Sequence, residues 1–291
     1  MTTVPLNGTV GIITGAGTPS GIGRTAVLQY AAAGAKTIYA CDLLEEHFPS
    51  LVDLVKQAGH ETAVVGVKVD VTKSEDLERL VRQIIGEQGR LDWLFANAGV
   101  VDFEPFGSTT EQNLQRAFNI NTIGVFNSIQ WAARGMMNTC LFKPEAGGSI
   151  VVTTSLASTF GGMGSPAYTA SKYAAVGILK SACAQFKASK VPIRVNGIAP
   201  GAVTTSITEN AMKAGAISGA TMQVLVEKSQ SVTPEFYANV APPTEIADVA
   251  VFLCSPASVG VNGQNIVVDR GSRETVVEMS GVFSLVPPVP I

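Results

Sequence analysis

Residues 10–35 read VGIITGAGTPSGIGRTAVLQYAAAGA, an apolar run, a glycine-rich corner and a helical segment in immediate succession. Missing side chains at Gly15, Gly21 and Gly23 let backbone N–H groups approach a pyrophosphate, whose charge the N-terminus of the following helix favours. Alone, such a corner is only a place where a strand meets a helix. The next apolar run adds to it, because KTIYACD ends in Asp42, 21 positions after Gly21 and at the usual distance for a carboxylate that binds a ribose 2′-hydroxyl. A 2′-phosphate would meet Asp42 as a like charge, and Leu43 supplies no cation to compensate. The pair points to NAD in preference to NADP.

Further short runs follow the same rhythm: TAVVGVKV (62–69), LDWLFA (91–96), GSIVVTT (148–154), PIRVNGIA (192–199) and QNIVVD (264–269). With TVGIIT (9–14) and KTIYAC (36–41) they make seven runs, apolar on both faces and separated by helix-length connections. That pattern predicts an α/β fold, a Rossmann-like doubly wound parallel sheet with helices on both faces. In such sheets ligands bind at the carboxyl ends of the strands, where the winding reverses. Residues 1–271 read as a single domain, including a segment at 204–243 that has no clear strand. Pro243 and Thr244 are expected to stop that segment and cap the helix of PPTEIADVAVFL. An apolar tail, 272–291, follows.

With 291 residues, 46% of them hydrophobic, the chain can bury a sizeable core, and its net charge of −3 argues against phosphate-backbone binding. Nucleic acid is therefore not an expected partner. Cys41, Cys140, Cys183 and Cys254 lie far apart without metal-ligand spacing, which implies reduced thiols and no metal site. MTTVPLNGTV lacks a basic segment leading into an apolar run, and no apolar run is long enough to span a bilayer, so the expectation is a cytoplasmic protein without membrane association.

The run TTSLASTFGGMGSPAYTASKYAAVG (153–177) places Ser155 13 positions before Tyr168 and Lys172 four after it. Tyr168 and Lys172 then share a helical face. A phenol of ordinary pKa about 10 must be drawn toward operating pH to exchange protons with an alcohol or carbonyl, and a neighbouring ammonium does this. Ser155, at a strand end, can hydrogen-bond a substrate oxygen on which charge develops.

Together with the glycine turn, this S-x12-Y-x3-K pattern closely resembles the short-chain dehydrogenase/reductase family, over about residues 8 to 271. Four other stretches agree. KVDV contains Asp70 and Val71, resembling the family's adenine-side acidic residue and its neighbour. ANAG (96–99) resembles its N-A-G turn, with Asn97 and Gly99. NINTIGVF carries Asn121, matching the family's catalytic asparagine, and RVNGIAPGAVTT (194–205) resembles a segment whose Pro200, Val203 and Thr205 approach the nicotinamide. The resemblance implies that Tyr168 is the general acid/base, that Lys172 lowers its pKa and bonds the nicotinamide ribose, that Ser155 polarises the substrate oxygen, and that Asn121 connects a water relay. It implies too that Ala174, Ala175 and Gly177 face a second subunit of a homodimer or homotetramer.

Two departures stand out. The family's T-G-x-x-x-G-x-G turn here has five residues, Ala16 to Ser20, between its first two glycines. The hydroxyls of Thr18 and Ser20 could reach the adenosine ribose or a 2′-phosphate, while Gly21, Ile22 and Gly23 keep the helix start intact. In VVDRGS, Arg270 stands where the family commonly has glycine. The 204–243 segment holds Ile207, Met212, Ile217, Met222, Val224, Leu225, Val226, Phe236 and Tyr237, an apolar cover for a bulky hydrophobic secondary alcohol of terpenoid, steroid-like or polyketide type. Other readings stay open at this level: an NADP-dependent ketoreductase, a non-redox isomerase or cyclase, and a dinucleotide sensor without turnover.

Overall fold

The computed structural model describes residues 5–161, 163–207 and 240–272. Seven strands form one sheet: β1 (Val10–Thr14), β2 (Thr37–Asp42), β3 (Ala63–Lys68), β4 (Trp93–Ala96), β5 (Gly148–Thr153), β6 (Ile193–Pro200) and β7 (Asn265–Val268). Their order is β3-β2-β1-β4-β5-β6-β7, and every pairing is parallel. The chain winds outward from β1 to β3, returns to β4 beside β1, and winds outward again, which is the doubly wound arrangement the sequence pattern predicts. The switch lies between β1 and β4.

All five residues of β1 and all four of β4 are buried. They are covered on one face by α1 (Ile22–Ala32), α2 (Phe48–Gln57) and α7 (Pro243–Cys254), and on the other by α3 (Ser74–Gln88), α5 (Gly124–Met136) and α6 (Pro166–Ala188). Two separate apolar cores result, one around Ile13, Tyr30, Phe95 and Ile246, the other around Ile12, Leu80, Leu94 and Ile129. Alternate β1 side chains enter opposite cores because strand side chains alternate faces. Only the edge strands depart from the expected two-faced burial: β3 and β7 are partly exposed, each having a single neighbour.

One helix boundary differs from the sequence reading. Pro243 is the first residue of α7, and Pro242, extended at φ −69° and ψ 151°, occupies the cap position in place of Thr244. Proline suits the first helical turn, where its missing N–H has no partner to lose. Residues 208–239, with eight of the nine apolar cover residues, and the tail from 273 onward lie outside the described residues. At the near side of that gap, Val203 bridges Ala241, and Thr204 N–H donates to Ala241 O at 3.0 Å.

Candidate active site

The carboxyl ends of β2, β1, β4 and β5 open into a cavity of about 770 Å³. At roughly 4.8 Å between neighbouring strands, the ends of β2 and β5 are about 14 Å apart, a span that an extended dinucleotide bridges.

The glycine turn builds one side of this cleft. Gly15 has φ +71°, and a Cβ there would lie 2.8 Å from Ala98 Cα, so only glycine lets the turn after β1 close on the turn after β4. The two extra residues are absorbed in a tight turn, with Gly21 N–H donating to Thr18 O at 3.2 Å and Pro19 at its first corner. Gly21 thereby remains the cap of α1. Gly15, Thr18, Gly21 and Ile22 line the cavity; Ser20 is exposed and does not.

Asp42 lines the cavity too, with Asp70 and Val71 beyond β3. Its carboxylate accepts from three backbone N–H groups: Gly17 at 2.8 Å, Leu43 at 2.7 Å and Leu44 at 3.2 Å. Asp70 accepts from the backbone N–H and the hydroxyl of Thr72, at 3.0 and 2.7 Å. Asn97 and Gly99 line the cavity as well, but the Asn97 side chain joins strand ends. Its Nδ2 donates to Thr14 O at 3.1 Å, and its Oδ1 accepts from the Thr153 hydroxyl at 3.0 Å. Pro200, Val203 and Thr205 line the cavity beside β6.

Ser155, Tyr168 and Lys172 come together at the β5 end. Ser155 lies two residues beyond the end of β5, and Ser165 caps α6 by accepting the Tyr168 backbone N–H at 3.0 Å. The Lys172 ammonium lies 5.8 Å from the centre of the Tyr168 ring and donates to Thr153 O at 2.9 Å. Lys172 is only 3% exposed, and burial lowers its pKa from the ordinary 10.5 to about 8. Partial burial raises the Tyr168 phenol above its ordinary 10, while a hydrogen bond with Ser155 draws it part of the way back. The ammonium is turned onto a backbone carbonyl, and desolvation dominates the phenol.

Asn121 is fully buried, within a π-helical turn, Asn119–Ile123, that joins α4 (Glu111–Phe118) to α5. Such turns recur at functional sites. Its Oδ1 accepts from Val100 N–H at 2.9 Å, and its Nδ2 donates to Val100 O and to Ser171 Oγ, both at 3.0 Å. A Cβ on Gly99 would stand 3.1 Å from Asn121 Oδ1 and 3.4 Å from Lys172 Nζ, so the N-A-G turn is what lets Asn121 and Lys172 close on it.

Sequence reasoning missed the partners made of backbone: Gly17 N–H on Asp42 and Thr153 O on Lys172. No side-chain type signals either. It also missed Ser171, whose hydroxyl beside Asn121 could have been sought one residue before Lys172.

Known proteins match nearly the whole chain. A family model described as enoyl-(acyl carrier protein) reductase matches residues 15–273. The chain is 37% identical over 281 residues to short-chain dehydrogenase reductase 3a of Arabidopsis thaliana, covering 93% of this chain and 97% of that one. It belongs to the short-chain dehydrogenase/reductase family and is an oxidoreductase. Another member, (21S)-21-acetoxyl-apo-melianone synthase SDR of Melia azedarach, is 34% identical over 269 residues, with 91% and 90% of the two chains covered. Among solved structures, a 7α-hydroxysteroid dehydrogenase complexed with NADH and 7-oxo-glycochenodeoxycholic acid superposes with a TM-score of 0.75 at 30% identity, over 92% of this chain and 96% of that one. Family members use nicotinamide cofactors, and the residues here fit one: a glycine corner that a Cβ would fill and carboxylates where ribose hydroxyls would donate. No helix among the described residues is long and apolar enough to cross a membrane.

Proposed function

We propose that this oxidoreductase uses NAD to exchange hydride with a bulky, hydrophobic secondary alcohol or its ketone, with Tyr168 as general acid/base. The observation that carries the reading is the convergence of Ser155, Tyr168 and Lys172 on one cavity with Asp42. Bound nicotinamide would accept or supply the hydride. Ser155 and the Tyr168 hydroxyl hold the substrate oxygen between them, Tyr168 gives that oxygen a proton or takes one from it, and Lys172 places a positive charge behind the phenol. Asn121 fixes the floor of the site through Val100 and Ser171. Gly15, Thr18, Gly21, Ile22, Asp70 and Val71 hold the adenosine and pyrophosphate, with Asp42 on the adenosine ribose; Pro200, Val203 and Thr205 border the nicotinamide.

The bulky apolar substrate is supported by Val100, Val101, Val203 and Ile207 in the cavity wall, and by relatives that are a steroid dehydrogenase and a melianone-derivative synthase. The protein acts in the cytoplasm as a homodimer or homotetramer. The test is hydride transfer, followed by the absorbance of reduced nicotinamide, with wild type and Tyr168→Phe on steroid and terpenoid alcohols. The variant is expected to lose about a hundredfold to ten-thousandfold in kcat while still binding NADH, as removal of a general acid/base does. Full activity of Tyr168→Phe would refute the mechanism, and turnover of small polar sugars alone would refute the substrate class.

A further inference from the structure

The lengthened turn does more than tolerate two extra residues. Ala16 N–H donates to Cys41 O at 3.1 Å, and Gly17 N–H donates to Asp42 Oδ2 at 2.8 Å, so successive amides of the turn are bonded to the end of β2. Leu43 and Leu44 N–H hold the other oxygen of Asp42. With donors on both oxygens, the carboxylate is fixed in one orientation, while lone pairs remain for a ligand hydroxyl.

The lock depends on glycine. A Cβ on Gly17 would stand 2.8 Å from Asp42 Cβ, Asp42 Cγ and Leu44 O, closer than carbon and oxygen atoms pack. The φ of Gly17 is not positive, so an alanine there would meet no backbone strain and its effect would come from these contacts alone. The turn would have to lift off Asp42, taking the Gly17 donor from Oδ2 and leaving the carboxylate held at Oδ1 alone, by Leu43 and Leu44 N–H, about which it can turn.

We infer that Gly17 determines cofactor specificity: by bonding the turn to Asp42 it holds a negative charge immovably at the adenosine-ribose end of the cleft, so that a ribose hydroxyl is accepted and a 2′-phosphate repelled. This deepens the NAD reading and rests on it. A mobile carboxylate could turn from a phosphate, whereas a locked one cannot. The contribution of Gly17 lies in selectivity between the two cofactors as well as in affinity for one.

The experiment is a titration of ligand-free wild type and Gly17→Ala with NADH and with NADPH, following nicotinamide fluorescence, alongside thermal melts. Wild type is expected to bind NADH about 100-fold more tightly than NADPH, in keeping with two like charges at contact distance. Gly17→Ala, still folding, is expected to narrow that ratio about tenfold or more. A folded Gly17→Ala with an unchanged ratio overturns the inference. Wild type that binds NADPH as tightly as NADH overturns the NAD reading instead, a result visible before any substitution is made. Should Gly17→Ala not fold, amide hydrogen exchange on wild type and Asp42→Ala tests the same lock. The Gly17 amide is expected to be protected in wild type and to lose protection in Asp42→Ala; exchange in wild type as fast as at exposed Ser20 overturns the inference.

Discussion

Replacing Lys172 by methionine should make the protein more stable while abolishing hydride transfer. The ammonium is almost wholly buried, and its burial lowers the pKa from 10.5 to about 8. At about 1.4 kcal/mol per pH unit, keeping that cation charged in the folded state at neutral pH costs about 3 kcal/mol. Methionine has a similar shape and no charge, but it leaves Thr153 O without its 2.9 Å donor, which returns about 1 kcal/mol. The net expectation at pH 7 is a gain of about 2 kcal/mol, an order-of-magnitude figure. The sign follows from linkage. A folded-state pKa below the unfolded one means that the unfolded chain binds more protons between pH 8 and 10.5, so Lys172 makes wild-type stability rise with pH across that window. Lys172→Met lacks this rise, and its advantage should vanish as pH approaches 10.5. The assay is urea unfolding of ligand-free wild type and variant at fixed protein concentration, from pH 7 to 10.5, read as the difference between the two proteins. The raised pKa values of Cys41, Cys254, Tyr30 and Tyr39 are common to both and cancel. A variant less stable than wild type at pH 7, by a margin that does not change with pH, would refute the desolvation argument.

The catalytic and structural roles yield further outcomes. Ser155→Ala removes the hydrogen bond that draws the Tyr168 pKa down, so the rising limb of kcat/KM for alcohol oxidation, which needs the phenolate, should move to higher pH; an unmoved limb would separate Ser155 from Tyr168. Gly11→Ala tests the core on β1, because a Cβ there would lie 2.1 Å from Trp93 Cδ2, and Trp93 is 1% exposed with its indole N–H on Thr9 Oγ1. The expected loss is about 3 kcal/mol, seen as a lower urea midpoint, since overpacking a filled interior costs about that much.

The fold was legible because parallel strands buried on both faces are written as unbroken apolar runs, and all seven runs became strands within a residue or two of their expected ends. What the runs could not show was which strands lie at the edges, for exposure of β3 depends on the absence of a neighbour beyond it rather than on its own residues. The helix start at Pro243 was misjudged because Thr244 is a good cap in isolation, and the cap position is set by where the chain leaves Ala241. At the site, Ser155, Tyr168 and Lys172 were readable because their roles need particular side chains at helical and strand-end spacings. Gly17 N–H and Thr153 O were not, since any residue carries those groups.

The pKa of Tyr168 shows the same limit from another side. Spacing places a lysine one turn from a tyrosine, but the consequence depends on how much water the fold leaves around them. Burial brings the two groups together by moving both against their charged forms, Lys172 to about 8 and Tyr168 upward. As pH rises, the ligand-free site therefore loses the ammonium proton before the phenol proton. Its resting form at neutral pH is a neutral phenol beside a buried cation, the form that the general-acid role proposed for Tyr168 requires. For the reverse direction, alcohol oxidation, the phenolate must be favoured by Ser155 and by whatever charge the bound ligands bring into the cavity. The pH limb of Ser155→Ala consequently measures how much of that task falls to the chain itself.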